Sequence, residues 1–131
     1  MKRPSKRDYY LSIAEKVSKR GTCIRRNSGA VIVKNDEIVS TGYTGSPRSY
    51  INCIDRGVCQ REELNIKSGE RYELCKSVHA EMNACISASR KEMLGGTLYL
   101  VTLQDGKRIE TEPCKLCARV LINAGIERVV K

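Results

Sequence analysis

The sequence predicts an α/β fold in one domain, residues 1–131. Three observations predict it. Residues 29–34 and 38–42 are β-branched runs separated by the polar residues Asn35, Asp36 and Glu37, the pattern of a hairpin. From residue 78 onward, helical and strand patterns alternate, which implies parallel neighbours joined by right-handed crossovers. An amphipathic helix precedes both, with Ile13, Ala14 and Val17 on one face of residues 8–20. A hairpin plus two crossovers makes a mixed sheet with helices on it.

Each element has its own signals. Asp8 is the expected N-cap of the first helix and Gly21 its stop. Residues 43–60 are rich in Gly, Ser, Pro and Asn and read as loop, and residues 61–76 as a short charged helix broken at Ser68 and Gly69. A helix is expected over 78–92, where Ala80, Ala84 and Ala88 with Met82 and Ile86 suit packing on a sheet. Gly95 and Gly96 end it, and 97–103 is a strand. Asp105 and Gly106 form a hairpin-type turn. The last helix is expected over 113–124, with Pro113 in its first turn and Gly125 after it, and the last strand over 126–130.

Composition narrows the function. No apolar run approaches the roughly 20 residues needed to span a bilayer, so no membrane is expected. The basic N-terminus has no apolar segment behind it, which speaks against a secretory signal and for a cytoplasmic protein. The net charge is +9, from 24 Lys and Arg against 15 Asp and Glu. That favours an anionic partner such as a nucleotide phosphate or a nucleic acid, although a solvated basic surface needs no partner at all. The seven cysteines are an odd number, which speaks against a disulfide framework; in a reducing compartment they point to metal.

The metal candidates are His79, Cys114 and Cys117. Cys114 and Cys117 are spaced C-x-x-C at the start of a helix, where residues three apart lie on the same side and the free N–H groups favour thiolates. His79 is the only histidine and sits at the start of another helix. Two thiolates and one neutral imidazole leave a Zn²⁺ site of zero formal charge with a position open for water, whose pKa such a site lowers from about 16 toward about 7. Glu81, two residues beyond His79, points away from a direct ligand position, so it stands beside the water as a proton carrier. Taken alone, C-x-x-C could be half a zinc knuckle or a redox pair, and H-x-E alone is weak. Together, H-A-E and P-C-x-x-C match the pattern of zinc deaminases.

At these residues the chain resembles the cytidine/deoxycytidylate deaminase superfamily, nearest its bacterial and phage deoxycytidylate (dCMP) deaminases. The likeness runs through GAVIV, STGYTGSP, CQREELNIKSGERYELC, HAEMNA with Asn83 and Ala84, GGTLY, PCKLC and INAGIERVV. It implies a three-layer α/β/α cytidine-deaminase-like fold, with a mixed sheet of four to five strands. It also implies hydrolysis of dCMP to dUMP and ammonia, a homo-oligomer (often a hexamer), and regulation by dCTP and dTTP. Glu81 is then catalytic, and His79, Cys114 and Cys117 hold the catalytic zinc. The resemblance further implies a second, structural zinc with ligands at Cys23 and Cys53, which Cys59 and Cys75 could complete as a Cys₄ site clipping the apolar-poor loop 43–75; four separate thiols are the alternative. Cys85, among Ala and Ile, reads as core.

Thr44 and Ala80 join Arg25 and Arg26 as candidate substrate-binding residues, the arginines as a bidentate fork for a phosphate. Arg48, Arg56 and Arg61 are equally eligible by composition. The family's usual G-Y-N-G reads Gly42, Tyr43, Thr44, Gly45 here, so Thr44 replaces an Asn that commonly holds the sugar or an effector. Residues 104–112 form an extra polar segment expected beside the active site. Glu112, Pro113 and Cys114 look like the E-P-C form of tRNA adenosine and guanine deaminases. Relatives usually carry another helix and a fifth strand beyond the position of Lys131. Beside the small-nucleotide enzyme, two alternatives remain: a deaminase acting on a base within tRNA or single-stranded nucleic acid, and a non-catalytic nucleotide-binding relative. The absence of Trp and Phe speaks against the first, since base stacking uses aromatic platforms.

Overall fold

Ser5 starts the first helix of the computed structural model, which describes residues 2–67 and 70–131. Its hydroxyl accepts from the Asp8 N–H, so α1 spans Lys6–Ser18 and Asp8 lies inside the first turn. The cap expected at Asp8 therefore moves to Ser5, and the Asp8 carboxylate instead complements the positive end of the helix. Gly21 follows where a Cβ would lie 2.2 Å from the Asn27 side chain. That side chain bonds both the N–H and the carbonyl of Cys23, folding 21–27 into a tight turn. The break expected at Ser68 and Gly69 lies outside the described residues.

β1 (Asn27–Lys34) and β2 (Glu37–Tyr43) form the expected hairpin. Its turn residues Asn35 and Asp36 have φ of 53° and 61°, the left-handed pair that matches strand twist in a two-residue hairpin. The segment expected as loop and one short helix contains two single-turn helices, α2 (Cys53–Arg56) and α3 (Gln60–Glu63), and a 3-10 turn at Tyr72–Leu74. The helix expected over 78–92 is two helices, α4 (Ala80–Ile86) and α5 (Arg90–Met93). Ser89 and Glu92 form a reciprocal capping box, which offers the backbone a fresh start and ends the continuous helix.

β3 (Thr97–Gln104) turns at Asp105 and Gly106 into β4 (Lys107–Ile109). α6 (Lys115–Ala124) is capped by Cys114, so Pro113 precedes the cap rather than occupying the first turn. β5 (Arg128–Val130) closes the sheet. The strand order is β2-β1-β3-β4, with β5 also on β3. β3 and β5 are parallel neighbours, as the alternation implies. β2 and β3 are not neighbours, because β1 lies between them and is antiparallel to both. β5 covers Thr97–Tyr99 and β4 covers Thr102–Gln104 along the same edge of β3.

Alternation along β1 and β3 gives the sheet two apolar faces. Val31, Val33 and Val101 pack on Tyr10, Leu11 and Ala14 of α1. Ala30, Ile32, Leu98 and Leu100 pack on Ala80, Ala84, Leu121 and Ala124 of α4 and α6. The result is three layers, α/β/α. Small residues bring α4 close to the sheet: a Cβ on Gly42 would lie 2.3 Å from the Ala84 nitrogen and 2.5 Å from the Ala80 carbonyl oxygen. The Ser40 hydroxyl donates to the Ala84 carbonyl at 2.7 Å, holding β2 to the same helix.

Candidate active site

Two helix N-termini on one face of the sheet deliver the metal candidates. His79 is the N-cap of α4, in extended conformation. Cys114 is the N-cap of α6, with its sulfur accepting from the Cys117 N–H at 3.4 Å. His79 Nδ1 lies 3.2 Å from Cys117 Sγ and 3.5 Å from Cys114 Sγ. Their ligand atoms all lie within 4.8 Å of one another, and no other such group of three forms among the described residues. One imidazole nitrogen and two sulfurs at this spacing suit zinc by donor chemistry. Cys117 has 0% of its surface exposed. Burial first, then the Glu81 charge and Cys114, push its thiol far up; a cation bound there would supply the missing positive charge.

Glu81, in the first turn of α4, is 6% exposed. A carboxylate this buried is unusual without a task or a partner. It faces a cavity of about 200 Å³ bordered by His79, Ala80 and Cys114 as well. Asn83 of the same helix donates to the Tyr43 carbonyl at 2.8 Å, and Gly45 and Val78 form a β-bridge. These contacts hold the Tyr43–Thr44–Gly45 segment beside the start of α4.

The other sequence candidates divide. Arg25, Arg26, Thr44 and Ala80 all border the cavity. Arg25 is paired with Glu62 at 2.9 Å. The Thr44 hydroxyl is turned onto the β1 backbone, accepting from the Ser28 N–H at 2.9 Å. Of the remaining arginines, Arg61 joins the wall while Arg48 and Arg56 do not. Arg61 is 5% exposed, and one of its terminal nitrogens donates to the carbonyls of Lys67 and Glu70. Cys23, Cys59 and Cys75 border the cavity too, whereas Cys53 is buried with its sulfur 4.0 Å from Ser77 Oγ. These four are not drawn together as His79, Cys114 and Cys117 are. Cys85 is half-buried against the α4–α6 core. Sequence reasoning missed Ser28 and Thr102, which border the cavity; the only hint was their polarity beside or within apolar strand patterns. Thr111 and Glu112, from the polar segment expected beside the active site, border it too.

A His/Cys/Cys cluster that could hold a metal, with a buried carboxylate at its side in an α/β/α frame, is the arrangement of the zinc-dependent deaminase class. The model of the cytidine and deoxycytidylate deaminase zinc-binding region matches residues 4–131, and the chain belongs to that family. It is 34% identical to the deoxycytidylate deaminase of Mycobacterium phage D29, over 99% of this chain and 96% of the relative. It is 34% identical to the Schizosaccharomyces pombe deoxycytidylate deaminase over 98% of this chain, spanning 37% of that longer relative. The dCMP deaminase from the cyanophage S-TIM5, solved in complex with dCMP and dUMP, has a TM-score of 0.69 at 25% identity, covering 98% of this chain and 82% of that one.

Proposed function

We infer that the protein hydrolyses dCMP to dUMP and ammonia. The observation that carries this reading is the Glu81 carboxylate, buried beside the His79–Cys114–Cys117 cluster in a cavity that arginines also border. The substrate comes from the relatives: those from phage D29 and fission yeast bear the name deoxycytidylate deaminase, and the S-TIM5 enzyme was solved with dCMP and dUMP.

His79, Cys114 and Cys117 would hold the zinc. Zinc, when bound, supplies the Lewis acidity that makes hydroxide available at neutral pH. Glu81 takes one proton from the water as its oxygen bonds to ring carbon C4 and gives that proton to ring nitrogen N3; it then takes the second proton from the new C4 hydroxyl and gives it to the amine, so that the C4–N4 bond breaks, the C4 carbonyl forms and ammonia leaves. Its burial strengthens each of these contacts by keeping bulk water away. Arg25 and Arg26 hold the substrate phosphate, and Thr44 and Ala80 line the remaining wall.

A second, structural zinc held by Cys23, Cys53, Cys59 and Cys75 belongs to the same reading; that Cys23, Cys59 and Cys75 all border the cavity supports it. So does a homo-oligomer, up to a hexamer: Ile86 on α4 and Leu116, Val120 and Ile122 on α6 are large apolar side chains left exposed. A cytoplasmic location belongs to this reading as well, supported by a nucleotide substrate and seven free thiols. Among the described residues, no helix is long and apolar enough to cross a membrane.

The test is ammonia release from dCMP, cytidine and a cytosine-containing single-stranded oligonucleotide, with zinc counted by elemental analysis and mass by light scattering. Turnover of dCMP well above the others supports the reading. Preference for the oligonucleotide, which the net charge of +9 favours, would replace it. One zinc per chain instead of two would remove the structural site.

A further inference from the structure

Three hydroxyls run in a row along the cavity wall. Ser28 on β1 and Thr102 on β3 are a direct cross-strand pair, and their oxygens lie 2.6 Å apart. Thr102 then meets the Thr111 hydroxyl at 2.8 Å. Thr102 is 3% exposed, so its hydroxyl depends on these partners. Thr111 lies in the stretch between the end of β4 at Ile109 and the α6 N-cap at Cys114, whose carbonyl accepts the first helical bond from the Ala118 N–H at 2.8 Å. Three residues later comes Cys114, a ligand of the metal cluster. The same stretch is also tied by the ion pair of Glu112 with Lys131 and, at its end, by the Cys114 sulfur on the Cys117 N–H.

We propose that the Ser28–Thr102–Thr111 hydroxyl row is a positioning element: it registers the loop that carries Cys114 against the sheet and thereby sets the affinity of the metal centre. This rests on the metal-centre reading and not on the identity of the substrate. β1 and β3 are the central, paired strands, so Ser28 and Thr102 form a fixed reference. Thr111 reads that reference through one hydrogen bond. Without it, the stretch that leads into the α6 N-cap is held less firmly, and Cys114 and Cys117, tied together at the start of α6, can shift relative to His79 on α4.

The experiment is zinc affinity by competition with a chromophoric chelator, in the absence of nucleotide, for the unaltered protein, Thr111→Val, Thr111→Ser and Ser28→Ala. Circular dichroism reports folding alongside. Thr111→Val keeps the volume and loses the hydroxyl, and is expected to weaken zinc binding about tenfold, the lower edge of what loss of a supporting contact does at metal sites. Thr111→Ser restores the hydroxyl and is expected to bind like the unaltered protein. Ser28→Ala, one step further away, is expected to weaken binding about threefold, and carries the test if Thr111→Val does not fold. Unchanged affinity in the folded variants would overturn the proposal. So would equal weakening by Thr111→Ser and Thr111→Val, which would assign the effect to packing. An unaltered protein that turns over no dCMP but binds zinc leaves this result readable; one that binds no zinc overturns the metal centre and this inference together.

Discussion

The metal cluster and the 44–78 loop border one cavity but are held in opposite ways. His79, Glu81, Cys114 and Cys117 sit at the N-termini of α4 and α6, whose inner faces are locked on the sheet through Ala80, Ala84, Leu121 and Ala124. Among its described residues the loop has only single-turn helices. It is held by the Gly45–Val78 bridge, by the Ile54 N–H on the Thr22 carbonyl, and by Arg61 reaching the carbonyls of Lys67 and Glu70. The proposed proton and metal chemistry thus stands on regular elements, and the loop side supplies charge and thiols from turns and single-turn helices tied by ion pairs and backbone bonds. Changes in the first region should abolish turnover, and changes in the second should retune it.

The largest expected effect is at Glu81. Glu81→Gln keeps the shape and removes the proton carrier, and kcat should fall by roughly 10²–10⁴ with zinc content unchanged. Next is Gly42→Ala, which drives a Cβ into the α4 backbone. It should cost about 1–3 kcal/mol in urea unfolding. Gly57→Ala is the matching change in the loop, where φ is +77° and nothing lies within 4 Å of the added carbon; its cost should be only the left-handed conformation, about 1 kcal/mol. Equal costs would erase the contrast between the regions. Arg26→Ala should raise KM for dCMP roughly tenfold and leave kcat nearly unchanged, the size of a lost charge-assisted bond.

The smallest effect is far from the cavity. Tyr10 donates to Asp36 Oδ1 at 2.7 Å, and this bond, with burial, raises its pKa to about 12. The unfolded chain loses this proton near pH 10, before the folded one does. The stability from this bond is therefore complete below about pH 10 and falls as pH rises toward 12. Tyr10→Phe should flatten that part of the stability profile.

The sequence showed most where chemistry and local structure coincide. His79, Glu81, Cys114 and Cys117 are legible because each lies at a helix start, where spacing decides which side chains meet. The split between α4 and α5 was also written locally, in Ser89 and Glu92, but the continuous apolar pattern of 78–92 masked it. Ser5 three residues before Asp8 was the same kind of signal at α1. The order of the sheet was less accessible, because nothing local says that β1 separates β2 from β3. Beyond the meeting of His79 with Cys114 and Cys117, long-range contacts were silent. Thr102 meets Ser28 across 74 residues, and only the folded chain sorts Arg25, Arg26 and Arg61 from Arg48 and Arg56.

The most direct test of the account is ammonia release from dCMP by the zinc-loaded protein beside a zinc-loaded Glu81→Gln variant. The account predicts turnover in the first and loss of turnover in the second at equal zinc content. Equal turnover in both, or none in a folded unaltered protein with its zinc bound, would contradict it.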